Sequence, residues 1–104
     1  MESRDIYNQT RREIEWDDKW IHIGTENDIK LSLVKTEILN HFEYQQTVLL
    51  KRGRRNSQSL HINEVIDEIM KLIGKEDFEL WNDKFSKALK FNKIGVMNKS
   101  KYAM

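Results

Sequence analysis

The sequence predicts an α/β domain: a single small layered domain with helices packed on a short, mostly parallel sheet. Three observations carry this reading. Strand-like and helix-like segments alternate along the chain. One segment, Ile62 to Ile73, is an almost unbroken amphipathic helix. A length of 104 residues suits one domain with a modest core that needs neither metal nor disulfide. Charged residues make up 34%, a level that also occurs in disordered chains. Three Trp, three Tyr, four Phe and well-spaced aliphatic clusters argue instead for a packed domain.

In chain order, Ser3 to Glu15 has Ile6 and Ile14 as its only aliphatics and reads as an exposed helix. Trp20-Ile21-His22-Ile23-Gly24 is a short apolar run closed by glycine, which reads as a strand. Thr25-Glu26-Asn27-Asp28 has capping-box spacing and places a helix start there. Leu31, Val34, Ile38 and Phe42 continue at helical spacing, although Ile29, Leu31 and Leu33 also alternate and leave a strand open over the first few residues. Thr47-Val48-Leu49-Leu50-Lys51 is apolar on both sides, as an interior strand requires.

After a charged loop, Ile62, Val65, Ile66, Ile69, Leu72 and Ile73 mark one helical face, with Lys71 late and Gly74 as a stop. Phe78-Glu79-Leu80-Trp81 alternates like a strand. Ala88 to Phe91 and Ile94 to Met97 are two more short strands, split by the turn-forming Asn92-Lys93. Right-handed crossovers would make the first three strands parallel, and the last ones are free to add as an antiparallel edge. Residues 1–98 read as one domain and 99–104 as a disordered tail without apolar periodicity.

Composition narrows the chemistry. Without cysteine there is no disulfide, thiol nucleophile, redox couple or cysteine-based zinc site. The N-terminal MESRDIYNQT lacks an apolar targeting core, and no run approaches the roughly 18 apolar residues of a membrane span. A cytoplasmic protein is the expectation, with no membrane partner. A net charge of +1 argues against general polyanion binding. The charge is polarised, however: residues 1–50 hold ten acids against six bases, and residues 51–104 hold seven acids against twelve bases.

Two charged clusters are candidate sites. In LLKRGRRNSQSLHINE, Lys51, Arg52, Arg54 and Arg55 surround a glycine and are the phosphate-binding candidates, because phosphate contacts supply most non-specific nucleic-acid affinity. No aromatic residue interleaves them to stack bases, so a solvated loop between strand and helix is the preferred reading. The acidic counterpart runs from Glu13 to Trp20. Here Glu13, Glu15, Trp16, Asp17 and Asp18 are the partner-binding candidates, since tryptophan is enriched at binding hot spots and carboxylates meet basic partners. Of the two tryptophans, Trp20 beside the strand is expected in the core, while Trp16 is open to either environment.

Catalysis has the least support. His22, His41 and His61 are far apart, with no H-x-x-x-H or H-E-x-x-H spacing and no G-x-S-x-G elbow. A ribonuclease-like pairing of His22 and His61 with Arg52 or Arg54 is the weakest reading; ordinary structural histidines are preferred. All four glycines are isolated, so no phosphate cradle forms. The expectation is no enzyme, no cofactor and no metal.

The segments INEVIDEIMKLIG and DFELWNDKFSKALKFNKIGVM together resemble the closing helix and strands of small bacterial immunity proteins of toxin and contact-dependent inhibition systems. The resemblance implies a cytoplasmic, non-enzymatic α/β protein that blocks one cognate toxin, and it carries over no site residues. One departure is the basic loop, which would repel a nuclease's basic site and so should face elsewhere. The leading expectation is therefore an immunity-type, non-catalytic protein-binding module that occludes a toxin domain. The alternative is a nucleic-acid-associated accessory protein using the basic loop.

Overall fold

Hairpins join most consecutive strands of the sheet, and two helical crossovers connect the rest. The structure, a computed structural model, describes residues 2–11, 14–25, 28–43 and 46–101. Its elements are α1 (Ser3–Gln9), β1 (Ile21–His22), α2 (Leu31–His41), β2 (Thr47–Lys51), β3 (Gln58–His61), α3 (Ile62–Met70), β4 (Phe78–Asn82), β5 (Ala88–Asn92) and β6 (Val96–Lys99). The six strands lie in the order β1-β6-β5-β4-β2-β3, and every neighbouring pair is antiparallel. The mostly parallel sheet expected from the sequence is thus corrected to an all-antiparallel one.

The reason is β3. Gln58-Ser59-Leu60-His61 reads as loop because only Leu60 is apolar, yet it folds back on β2 with Val48 opposite Leu60 and Leu50 opposite Gln58. At an edge, one inward apolar residue is enough to seat a strand this short. β3 and β4 thus both run antiparallel to β2, and α3 links them across it, so β4 lies on β2's other side with Leu50 opposite Leu80. β1 and β2 do run in the same direction, but β6, β5 and β4 separate them.

One face of the sheet carries the main core. Val48, Leu50, Phe78, Leu80, Leu89, Phe91 and Met97 project toward α2 and α3, which add Val34, Ile38, Val65 and Ile69. Phe78 and Phe91 are cross-strand partners and stack with centroids 4.6 Å apart. The helix read over Ile62 to Ile73 appears as α3 followed by a turn, in which Leu72 and Ile73 are still buried. His61 caps it, its Nδ1 accepting from the Asn63 N–H at 3.2 Å.

Other boundaries move. α2 begins at Leu31, well past the expected capping box, of which Glu26 and Asn27 lie outside the described residues. Gly24 has φ +84°, and a Cβ there would collide with the Asp28 carbonyl oxygen, so only glycine permits this turn. β6 spans Val96–Lys99 rather than residues 94–97, because Ile94 and Gly95 form the turn. Ser100 then bridges to Trp16, while residues 102–104 lie outside the described set. Among the described residues no helix is long and apolar enough to cross a membrane.

Candidate functional site

The opposite face of the sheet is only partly covered. α1 and the segment after it bury a small cluster of Ile6, Leu49, Trp81 and Ala88, with Ile14, Trp16 and Phe85 packed at its margin. The helix expected over residues 3–15 stops at Gln9. There Thr10 Oγ1 donates to the Ile6 carbonyl at 2.7 Å, and the chain leaves to join the sheet.

Residues 15–22 run along the free edge of β6. The Asp17 N–H donates to the Lys99 carbonyl at 2.8 Å, the Lys101 N–H donates to the Glu15 carbonyl at 2.8 Å, and Asn98 Nδ2 donates to the Asp17 carbonyl at 3.0 Å. Trp16 pairs with Ser100 and Ile21 with Met97. Between those two pairings the segment carries two more residues than β6, so it bulges. Asp17 closes the bulge as an Asx turn, its Oδ1 accepting from the Lys19 N–H at 3.2 Å. The bulge leaves Asp18 exposed and turns Trp20 out to 47% exposure, whereas Trp16 is half-buried. This reverses the expectation of Trp20 in the core; the fully buried indole is that of Trp81.

Across this face the strand register sets Lys51 opposite Glu79 and Glu79 opposite Lys90. Lys51 Nζ lies 3.6 Å from Glu79 Oε1, an oxygen that also accepts from Trp81 Nε1 at 2.8 Å. The Lys90 ammonium sits 4.2 Å from the Trp16 ring centroid and 5.8 Å from that of Trp20, and no ion pair holds it among the described residues. Such contacts contribute about 0.5–2 kcal/mol each. Lys51 lies 5.8 Å from the Tyr7 centroid. Tyr7, Lys51, Arg52, Asp77, Glu79 and Lys90 help to line an open groove of about 460 Å³.

The structure therefore distributes the sequence candidates unevenly. Glu15, Trp16, Asp17 and Asp18 share one strip, and Glu13 lies outside the described residues. The basic cluster is divided. Lys51 is matched to Glu79, and Arg52 makes a two-pronged bond to Glu76 at 2.7 and 3.1 Å. Arg54 and Arg55 are exposed at the tip of the β2–β3 loop with no ion pair among the described residues. Ser57 and Ser3 order that loop: Ser57 Oγ accepts from the Arg52 N–H at 3.0 Å and donates to the Gly53 carbonyl at 2.9 Å. Ser3 Oγ accepts from the Ser57 N–H at 2.8 Å and donates to the Arg54 carbonyl at 2.7 Å.

Sequence reasoning passed over Tyr7, Glu79 and Lys90. The signal for the last two was present in the alternation of Phe78 to Trp81 and Ala88 to Phe91, where a lone charge between apolar neighbours marks the opposite face.

The histidines stay apart. His22 and His61 are exposed, and His41 Nε2 lies 3.0 Å from Ser100 Oγ, which accepts from the Ala88 N–H at 2.8 Å. Burial pushes the His41 pKa down to about 4. The charges of Lys87 and Lys99 act in the same direction, against the Ala88 backbone and Glu37. A neutral ring accepts the Ser100 hydroxyl proton in this arrangement. Among the described residues no three His, Asp or Glu side chains converge to hold a metal ion.

No protein-family model, curated protein or solved structure matches the chain.

Proposed function

We propose that this chain is a non-catalytic protein-binding module, an immunity-type inhibitor that occludes a basic surface of a cognate partner. A bacterial toxin domain is the partner class implied by the C-terminal resemblance. The observation that carries the reading is the strip from Glu15 to Trp20. It is sewn to β6 by backbone bonds and bulged so that Asp18 and the Trp20 ring stand outward beside half-buried Trp16. A strip already fixed before binding loses little conformational freedom on association. Its carboxylates speed encounter with a basic partner, and its indole supplies the apolar anchor.

Growth protection tests this directly. Where a neighbouring gene encodes a polypeptide that arrests growth, co-expression of the wild-type chain restores growth. Asp18→Lys combined with Trp20→Ala abolishes protection and pull-down while leaving the circular dichroism spectrum and melting temperature unchanged. Trp16 is the wrong residue for that test, because it packs against the small cluster and its loss also perturbs folding. Protection by the double variant at the wild-type level moves the contact elsewhere, and failure of the wild-type chain to protect removes the toxin as partner.

The exposure of Arg54 and Arg55 supports a second reading, nucleic-acid association. Two phosphate contacts give a log–log salt slope of only about −2 on B-DNA. No measurable binding is expected at about 0.15 M salt. Micromolar affinity lost in Arg54→Ser with Arg55→Ser would place this reading first.

A further inference from the structure

α2 and α3 cover the core side of the sheet, and their outward surfaces do not match. On α2, Leu31, Lys35 and Leu39 recur at four-residue spacing and share one face. That face points to solvent, with Leu31 39% and Leu39 59% exposed. Beside it an open groove of about 300 Å³ runs between the helices. Ile38, Leu39, Ile62 and Ile66 form its apolar part, and Lys35 on α2 and Asp67 on α3 stand on its rims. Neither rim charge has an ion-pair partner among the described residues, whereas Glu37 is held by Lys99 and Glu68 by Lys71. The outward charges are segregated as well: α2 and its leading residue carry Lys30 and Lys35, and α3 carries Glu64 and Asp67.

We infer that this groove is a self-association surface whose occupant is a second copy of the chain, related by a two-fold axis. In a two-fold interface each surface meets its own copy, so a patch must be self-complementary. This one is. The basic flank of α2 lies against the acidic flank of the partner's α3, and Lys35 meets Asp67 twice. The exposed Leu39 of each protomer covers the apolar groove of the other. An unrelated acidic or basic helix would satisfy only one rim charge, whereas a second copy satisfies both. The interface lies on the side of the sheet away from the Lys51–Glu79–Lys90 row, so each protomer keeps its Glu15 to Trp20 strip free.

Sedimentation velocity over about 1 to 500 µM protein at physiological salt reads the outcome. Wild type shifts from the 12.5 kDa monomer to twice that mass as concentration rises. Leu39→Glu stays monomeric throughout and, at about 1 µM where the wild type is also monomeric, keeps the wild-type melting temperature, since the leucine it replaces is more than half exposed. Lys35→Asp and Asp67→Lys each weaken self-association about tenfold or more by setting like charges together. Mixed in equal amounts, those two single variants form a heterodimer as tight as the wild-type dimer, because both cross-pairs then carry opposite charges. Wild type monomeric at every concentration, a dimer that survives Leu39→Glu, or a mixture no tighter than the separate variants would each overturn the proposal. Capture of some other protein by an otherwise monomeric chain overturns it equally.

Discussion

The two faces of the sheet share strands but not construction. Among the described residues, sixteen buried ones form a continuous core under two helices on one face, and four do so under a seven-residue helix on the other. The charges differ in the same sense, because the Lys51–Glu79–Lys90 row occupies the lightly covered face. A short antiparallel sheet can therefore concentrate its stability on one side and leave the other to present aromatic and charged groups. The cost of losing an apolar side chain should differ between the faces even where exposure does not.

Leu80 and Leu49 offer the largest test. Both are buried and they sit on adjacent strands, but Leu80 belongs to the large cluster and Leu49 to the small one. Leu80→Ala should cost about 4 kcal/mol, and Leu49→Ala about 2 kcal/mol because its thinner cover can collapse into the gap. Urea denaturation measures both, and equal losses would erase the distinction between the faces. Ile69→Ala and Ile66→Ala make the same contrast within α3. Ile69 is fully buried and Ile66 half-buried, so about 3 and about 1 kcal/mol are expected.

A smaller effect should appear with acid and act on the helix-covered side, where His41 ends α2. Its pKa is lowered in the folded state, so between about pH 6.5 and 4 the unfolded chain binds more protons there than the native one. The associated stability is complete above about pH 6.5 and disappears as pH falls through about 4. About 1–2 kcal/mol is expected after allowing for solvent screening of a partly exposed ring. His41→Gln should flatten the stability profile in that window, and an unchanged slope would place the acid sensitivity elsewhere.

The smallest expected change concerns the cover of the second face. Ser3→Ala removes two hydrogen bonds between α1 and the β2–β3 loop and should cost about 1 kcal/mol. Hydrogen exchange should quicken in α1 and residues 52–57 while the strands keep their protection. Faster exchange throughout the sheet would mean that the two faces unfold as one unit.

What the sequence revealed follows the same division. β4, β5 and α3 were legible because each buries one side in the large core, which imposes a periodicity that local reading detects, and β2 because burial on both sides makes an unbroken apolar run. β3 was hidden because an edge strand of four residues needs a single inward leucine. Missing it changed the expected topology from antiparallel to parallel. The strip at Glu15 to Trp20 was visible as a cluster but not as a geometry. Its partner is β6, some eighty residues away, and nothing local distinguishes the indole that packs from the one that projects. The basic cluster looked like one site because its residues are consecutive. Glu76 and Glu79, which engage two of its four cations, come from the other side of α3 in sequence.

The pairing of Trp16 with Ser100 also governs the order of events during synthesis. At about 5–20 residues per second, the ribosome needs roughly 4–17 s to travel from one of these positions to the other. Throughout that interval Trp16, Trp20, Ile21 and Ile23 have been made and their strand partner has not. The hairpins of β2 with β3 and of β4 with β5 involve neighbouring segments and need no such delay. The nascent chain thus carries a waiting apolar ribbon, a ready target for a chaperone until β6 arrives.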